Sequence, residues 1–320
     1  MLSDDSISRI ELLYSVARLN DSPLSLGELR SLLTSDTSIV ELEEAFSSSP
    51  TLNTRYVLDS GFITERGRAD WAAEVQKRRQ AFGNNVATAE RLAFRLGARG
   101  ASVIAIGGST SYESVKESDD LDLFCVTRAE YAWIFLARAL LLLRVSRLAS
   151  AEVSRTCLSC VMDQNYAVRA FSREQDPLFA RDALNAMVLR GNEEYTALLR
   201  RAGWMKKIFP RLYFAKSPPA GSGAITADST VRAQPGTAQR VANRFLYYVV
   251  GGYLRVRSML ESRRIWRDSG DRGRSFEARI GSDHCIYESL RYRKMREMYL
   301  NQFNRSGPPS GMQPLQRVPE

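Results

Sequence analysis

The stretch Ala101-Ser-Val-Ile-Ala-Ile-Gly107-Gly108-Ser109-Thr110-Ser111, with Asp119-Asp120-Leu121-Asp122-Leu123-Phe124-Cys125-Val126 shortly after it, decides the fold. Val103–Ile106 is a short apolar run of the kind that forms a buried strand. Two glycines directly behind it let the backbone approach a phosphate closely, and Ser109 at a helix start adds a hydroxyl and free N–H donors. Asp120 and Asp122 then stand at i and i+2 at the beginning of a second apolar strand. Strand alternation puts both carboxylates on one face while Leu121 and Leu123 point into the core.

Two close carboxylates facing a phosphate-binding loop repel each other unless a cation sits between them. Mg²⁺ or Mn²⁺ suits the place, because hard cations take oxygen ligands and combine one or two carboxylates with substrate phosphates. In a two-metal arrangement one ion activates an attacking hydroxyl and the other offsets charge on a triphosphate and its leaving pyrophosphate. The competing reading makes Asp119 and Asp120 turn residues, Asp122 a strand-edge charge, and the glycines a plain loop.

Gly107-Gly108-Ser109 with Asp120-Leu121-Asp122-Leu123 resembles the signature of the nucleotidyltransferase superfamily typified by DNA polymerase beta. The resemblance implies an α+β fold with a small mixed-sheet core that moves a nucleoside monophosphate from a nucleoside triphosphate (NTP) to an acceptor hydroxyl. It implies that Gly107, Gly108, Ser109 and Thr110 hold the triphosphate and that Asp120 and Asp122 hold the metals. Across about two thirds of the chain, the order of segments is also similar to a group of uncharacterised prokaryotic nucleotidyltransferases. The superfamily usually takes a third carboxylate from a later strand. The corresponding run here, Thr156-Cys-Leu-Ser-Cys-Val-Met162, contains no acid, so Asp163 at its end is the best candidate and Glu152 the second.

Composition narrows the chemistry from another side. The 320 residues include 45 Lys+Arg, 36 Asp+Glu and one histidine, His284, for a net charge of +9. One imidazole cannot supply a multi-histidine zinc site, and a Ser-His-Asp triad would have to use His284. A carboxylate-and-metal site needs no histidine. The charge is unevenly placed. Residues 1–100 carry 12 basic and 14 acidic side chains, residues 101–216 carry 16 and 13, and residues 217–320 carry 17 and 9. Most of the cations are arginines, which suits phosphate recognition but equally a GC-rich genome.

The four cysteines, without a signal peptide, are expected to be reduced thiols in the cytoplasm. Cys157 and Cys160 with His284 and Cys285 make a nominal zinc set. It is disfavoured because i and i+3 on a strand face opposite ways. The longest apolar runs are too short to span a bilayer, so no membrane partner is expected.

Around this core the sequence divides into six segments. Residues 1–66 read as three helices and a β-hairpin, the order of a winged helix, with Ser25 and Ser38 as helix caps. The third helix carries Glu41, Glu43 and Glu44 and no cation, which opposes DNA phosphates and leaves a transcriptional regulator as a third-ranked reading. Residues 67–99 form a connecting helix whose Lys77-Arg78-Arg79 is expected on its solvated face. Residues 100–216 are the core, and their final part, from 178, reads as helical. There Trp204 among Arg200, Arg201, Lys206, Lys207 and Arg211 is either a stacking platform for a base or an ordinary amphipathic helix. Residues 217–236 are a linker, 237–305 a basic helical region, and 306–320 a disordered tail. Arg255, Arg257, Arg263, Arg264 and Arg267 are the candidates for contact with RNA or an acidic partner. The leading expectation is a metal-dependent nucleotidyltransferase of unknown acceptor. The alternative is a catalytically weak NTP-binding sensor or adaptor.

Overall fold

The computed structural model describes residues 2–19, 22, 24–67, 71–113, 115–117, 119–149, 156–173, 177–217, 235–269 and 276–305. Nearly all of the expected linker, the expected tail and Glu152 lie outside them.

The amino-terminal part follows its local signals. Helix α1 (Asp4–Leu19) buries Ile10, Leu13 and Val16 on one side. Strand β1 (Leu24–Ser25) leads into α2 (Leu26–Leu32), whose first turn is capped by the Ser25 hydroxyl accepting from the Glu28 N–H at 3.1 Å. Helix α3 (Ile39–Ser48) starts in a capping box, in which Ser38 accepts from the Glu41 N–H and the Glu41 carboxylate accepts from the Ser38 N–H at 2.7 Å. A short α4 (Pro50–Arg55), absent from the sequence reading, begins with a proline in the first turn, where its missing N–H costs nothing. Strands β2 (Tyr56–Asp59) and β3 (Phe62–Glu65) close a hairpin on Ser60 and Gly61, both at positive φ, and the three strands order as β1-β3-β2.

The larger unit is built from α5 (Trp71–Gly97), β4 (Ala101–Ile106), α6 (Gly108–Ser111), β5 (Leu121–Thr127), α7 (Ala132–Ala149), β6 (Thr156–Asp163), α8 (Gln164–Ser172), α9 (Pro177–Asn185), β7 (Met187–Arg190) and α10 (Asn192–Arg201). It continues through α11 (Met205–Ile208), α12 (Pro210–Lys216), α13 (Thr237–Ser269), β8 (Phe276–Ile280), β9 (His284–Ser289) and α14 (Leu290–Arg305). The sheet orders as β7-β4-β5-β6-β9-β8, with β5 and β6 parallel and every other pair antiparallel. The protein is therefore α+β with a mixed sheet.

Two expectations fail here. Residues 178–216 are not uniformly helical, because β7 pairs with β4. The basic region 237–305 is not purely helical either. Its β8–β9 hairpin joins β6, so the sheet is finished by residues far beyond position 216. Phe276-Glu-Ala-Arg-Ile280 alternates with period two, a strand signal masked by the surrounding cations.

Each sheet face has its own core. Behind it, Leu92 and Leu96 of α5, Trp133, Phe135 and Leu142 of α7 and Leu254 of α13 cover Ile104, Leu121, Leu123 and Val161. In front, Val103, Val126 and Met162 join α8, α9 and α10, and that cluster runs without a break into Leu13, Leu29 and Leu42 of the amino-terminal helices. Arg9 donates to the carbonyls of Leu32 (3.1 Å) and Ile208 (2.7 Å), tying the two parts together. The expected winged-helix segment therefore shares its core with the front layer. Arg78 departs from the solvated face assigned to it: it is buried and bonded to Glu74.

Candidate functional site

The site forms where β4 ends and β5 begins. The Gly107 N–H donates to the Asp122 carbonyl at 2.9 Å, so the glycine turn is stitched to the first residues of the neighbouring strand. Gly108 has φ +60, and a Cβ there would collide with Asp122 Oδ2 and lie 3.1 Å from its Cγ. Glycine is required twice over, by conformation and by the close approach of backbone to carboxylate. The sequence reading placed glycine, serine and carboxylate in order along the chain, and the fold brings Gly108 and Asp122 into contact.

Asp122 is largely enclosed, and its carboxyl is pushed up to about 7. Burial is the main cause and the neighbouring Asp120 the next; the Ser159 hydroxyl pulls the other way, and Asp119 and Asp182 add to the rise. Three other carboxylates thus press on one buried acid, which is the charge imbalance that a bound cation relieves. Asp120 is exposed at the mouth of the strand. Asp119 is a turn residue, its carboxylate accepting from the Lys116 N–H at 3.0 Å.

Ser109 is half-buried beside Gly108, whereas Thr110 is completely enclosed and its hydroxyl is held by Asn85 Nδ2 of α5 at 3.1 Å. Thr110 therefore anchors the turn from below, away from the exposed Gly108.

Asp163 is not brought to this site. Strand register pairs Leu121 with Thr156 and Asp122 with Cys157, but Thr127 with Asp163, which leaves Asp163 at the opposite end of the strands, roughly 16 Å away at about 3.3 Å per residue. There it caps α8, accepting from the backbone N–H groups of Tyr166 and Glu130, both at 2.9 Å. Its place beside a helix start explains the acid; the sequence showed the residue but not which end of the sheet it would occupy. On β6 the residues nearest Asp122 are Cys157 and Ser159, neither of them acidic.

Asp182 and Tyr112 were missed. Helix α9 carries Asp182 into the field of Asp122, and its carboxylate accepts from the Tyr112 hydroxyl immediately after α6. Arg181 lies 4.5 Å over the Tyr112 ring and bonds Glu28 of α2 at 2.7 Å, so the amino-terminal unit reaches the glycine turn through buried charges. No local motif marks these residues, since they meet only across distant elements.

The other candidates resolve as follows. A register irregularity between Asp122 and Phe124 sets both Cys157 and Cys160 in line with front-facing residues, contrary to the opposite faces expected of them. Cys160 packs against the front core and Cys285 lies in the back one, so the nominal zinc set does not converge. Among the described residues no group of three or more His, Cys, Asp or Glu side chains is arranged to hold a metal. Trp204 stacks on Phe179 and donates to the Phe171 carbonyl at 3.0 Å, as an ordinary packed side chain. Of the five candidate contact arginines, all on α13, Arg255 donates to Tyr247 and Ile280, and Arg257 bonds Glu261; Arg263, Arg264 and Arg267 are exposed near the helix end. No helix of the described residues is long and apolar enough to cross a membrane.

The chain matches no protein-family model, no curated protein and no solved structure.

Proposed function

We propose that the protein is a metal-dependent nucleotidyltransferase that binds an NTP between the Gly107–Ser109 turn and the Asp120/Asp122 pair and transfers a nucleoside monophosphate to an acceptor hydroxyl. The observation that carries the reading is the seating of Gly108 directly against the Asp122 carboxylate. It sets the open backbone of the neighbouring Gly107 beside a carboxylate with excess negative charge around it.

A divalent cation such as Mg²⁺ or Mn²⁺, when bound by Asp120 and Asp122, offsets charge on those carboxylates and on the triphosphate. The chain's own groups do the rest. Gly107, fixed to β5 by its N–H, sets the turn. Gly108 leaves room for the Asp122 carboxylate, and the open side of Gly107 is where phosphate oxygens approach. The Ser109 hydroxyl offers a donor beside them. Asp182, through Tyr112, braces the end of the same turn.

The presence of Cys157 and Ser159 where a third acid would stand favours a second reading, an NTP-binding sensor with little transfer, since no carboxylate on β6 is placed to take the acceptor's proton. Incubation with each α-labelled NTP, Mg²⁺ or Mn²⁺, and pools of RNA and protein separates the two. Label transfer lost in Asp120→Ala and Asp122→Ala supports the enzyme, and saturable NTP binding without transfer under any condition supports the sensor.

A further inference from the structure

Helix α13 packs one side onto the back layer and leaves the other bare. Asn243 Oδ1 accepts from the Trp133 N–H at 2.9 Å at the start of α7, and Leu254 enters the back core. On the opposite side Val241, Phe245, Tyr248, Val249, Tyr253, Val256, Met259 and Leu260 are each 48% to 64% exposed. At 100° per residue, Phe245, Gly252 and Val256 lie along the middle of this stripe. Val241, Tyr248 and Met259 flank it on one side, and Val249, Tyr253 and Leu260 on the other. From Val241 to Leu260 the stripe is about 28 Å long at 1.5 Å per residue.

The order of side chains within the stripe points to its occupant. In an antiparallel pair about a two-fold axis at the midpoint between Val250 and Gly251, each flank faces the same flank of the partner at mirrored height, so that Val241 faces Met259, Ala242 faces Leu260, Phe245 faces Val256, Tyr248 faces Gly252, and Val249 faces Tyr253. The matches are complementary in size. Phe245 meets the smaller Val256, Leu260 meets Ala242, and Tyr248 meets Gly252, around which an added Cβ would find nothing within 4 Å.

A two-fold interface requires this self-complementarity, and neither a lipid surface nor a nucleic acid does. Eight such side chains give up on the order of 800 Å² when covered, the share each partner contributes to a standard stable interface. Arg244 and Arg257 lie on opposite rims of the stripe, where their heads stay in water and Arg257 is already neutralised by Glu261 at 3.2 Å.

We infer that two copies of the chain associate through antiparallel packing of their α13 helices, centred between Val250 and Gly251. The dimer lies on the back of the sheet and leaves the Gly108–Asp122 face open, so it stands or falls independently of the proposed activity. Sedimentation equilibrium of the full chain at tens of micromolar should give twice the 36.0 kDa chain mass. Phe245→Arg with Val256→Arg should raise the dissociation constant about 100-fold or more, with an unchanged far-UV spectrum.

A milder arm does not depend on those variants folding. Val241→Cys and Met259→Cys proteins, mixed and oxidised, should cross-link to each other and not each to itself. A monomer at these concentrations, Arg variants that dimerise like the parent, or a Val241→Cys protein that cross-links to itself when oxidised alone would each overturn the inference. So would a monomer whose α13 face is protected by vesicles of anionic lipid, since that assigns the stripe to a membrane surface.

Discussion

Asp122 and Asp163 are carboxylates on neighbouring parallel strands of one sheet, each with burial as the leading cause of a raised pKa, and they are held in opposite ways. Asp163 accepts from two backbone N–H groups, and its burial serves a helix cap. Asp122 has the Ser159 hydroxyl as a donor, with Asp120, Asp119 and Asp182 pressing on it and a backbone glycine directly against it. A buried acid whose donors are supplied by the fold is structural. One surrounded by like charge stores a demand that a ligand can meet.

The largest expected effect attacks the Asp122 end. Asp122→Asn should lower label transfer roughly 100-fold or more, yet leave the thermal midpoint unchanged or higher, because it removes a carboxylate crowded by three others. Calorimetry beside the transfer assay checks both halves; a lower midpoint with transfer intact would put Asp122 in the same structural class as Asp163.

Next comes Gly108→Ala. Its cost is strain from the positive φ, about 1–3 kcal/mol, together with displacement of the Asp122 side chain. NTP affinity, read by equilibrium dialysis, should fall sharply, and a variant that binds NTP normally would remove the turn from the site.

At the other end of the sheet, Asp163→Ala removes a cap and leaves two amides unanswered. A loss of about 1–2 kcal/mol is expected in denaturant titrations, with transfer per folded molecule unchanged. Loss of transfer out of proportion to unfolding would restore Asp163 to a catalytic role.

The smallest effect sharpens the Asp163 end further. His284 stacks on Tyr166 at 4.0 Å beside this cap, and burial holds its pKa below the ordinary value of 6.5. Below about 6.5 the unfolded chain binds this proton more readily than the folded one. The stabilisation by neutral His284 is therefore full above that pH and fades as the pH falls. Thermal midpoints at pH 7.5 and 5.5 should differ less in His284→Gln than in the parent, and equal slopes would discard the assignment.

Much of this was legible in the sequence because it is local. Ser25 and Ser38 announce helix starts, Asp59–Gly61 a hairpin turn, and the glycine turn and the Asp120/Asp122 pair declare themselves within twenty residues. The β7 strand and the β8–β9 hairpin were hidden because they are only four to six residues long inside cationic, helix-rich stretches that mask even the alternation of Phe276–Ile280, and pairing with β4 and β6 completes them as strands. Arg78 reads as a surface cation until Glu74 is seen to meet it within the fold.

The sequence by itself determined the backbone freedom at Gly108, the spacing of the two carboxylates and the lack of imidazole chemistry, since these depend on residue identity and short separations. Tertiary structure alone decided that Asp163 stands at the far end of the strands from Asp122, that Asp182 and Tyr112 come together beside the glycine turn, and that α13 keeps an apolar face exposed. Register and packing join residues tens to hundreds of positions apart, and no local pattern encodes which of them will meet.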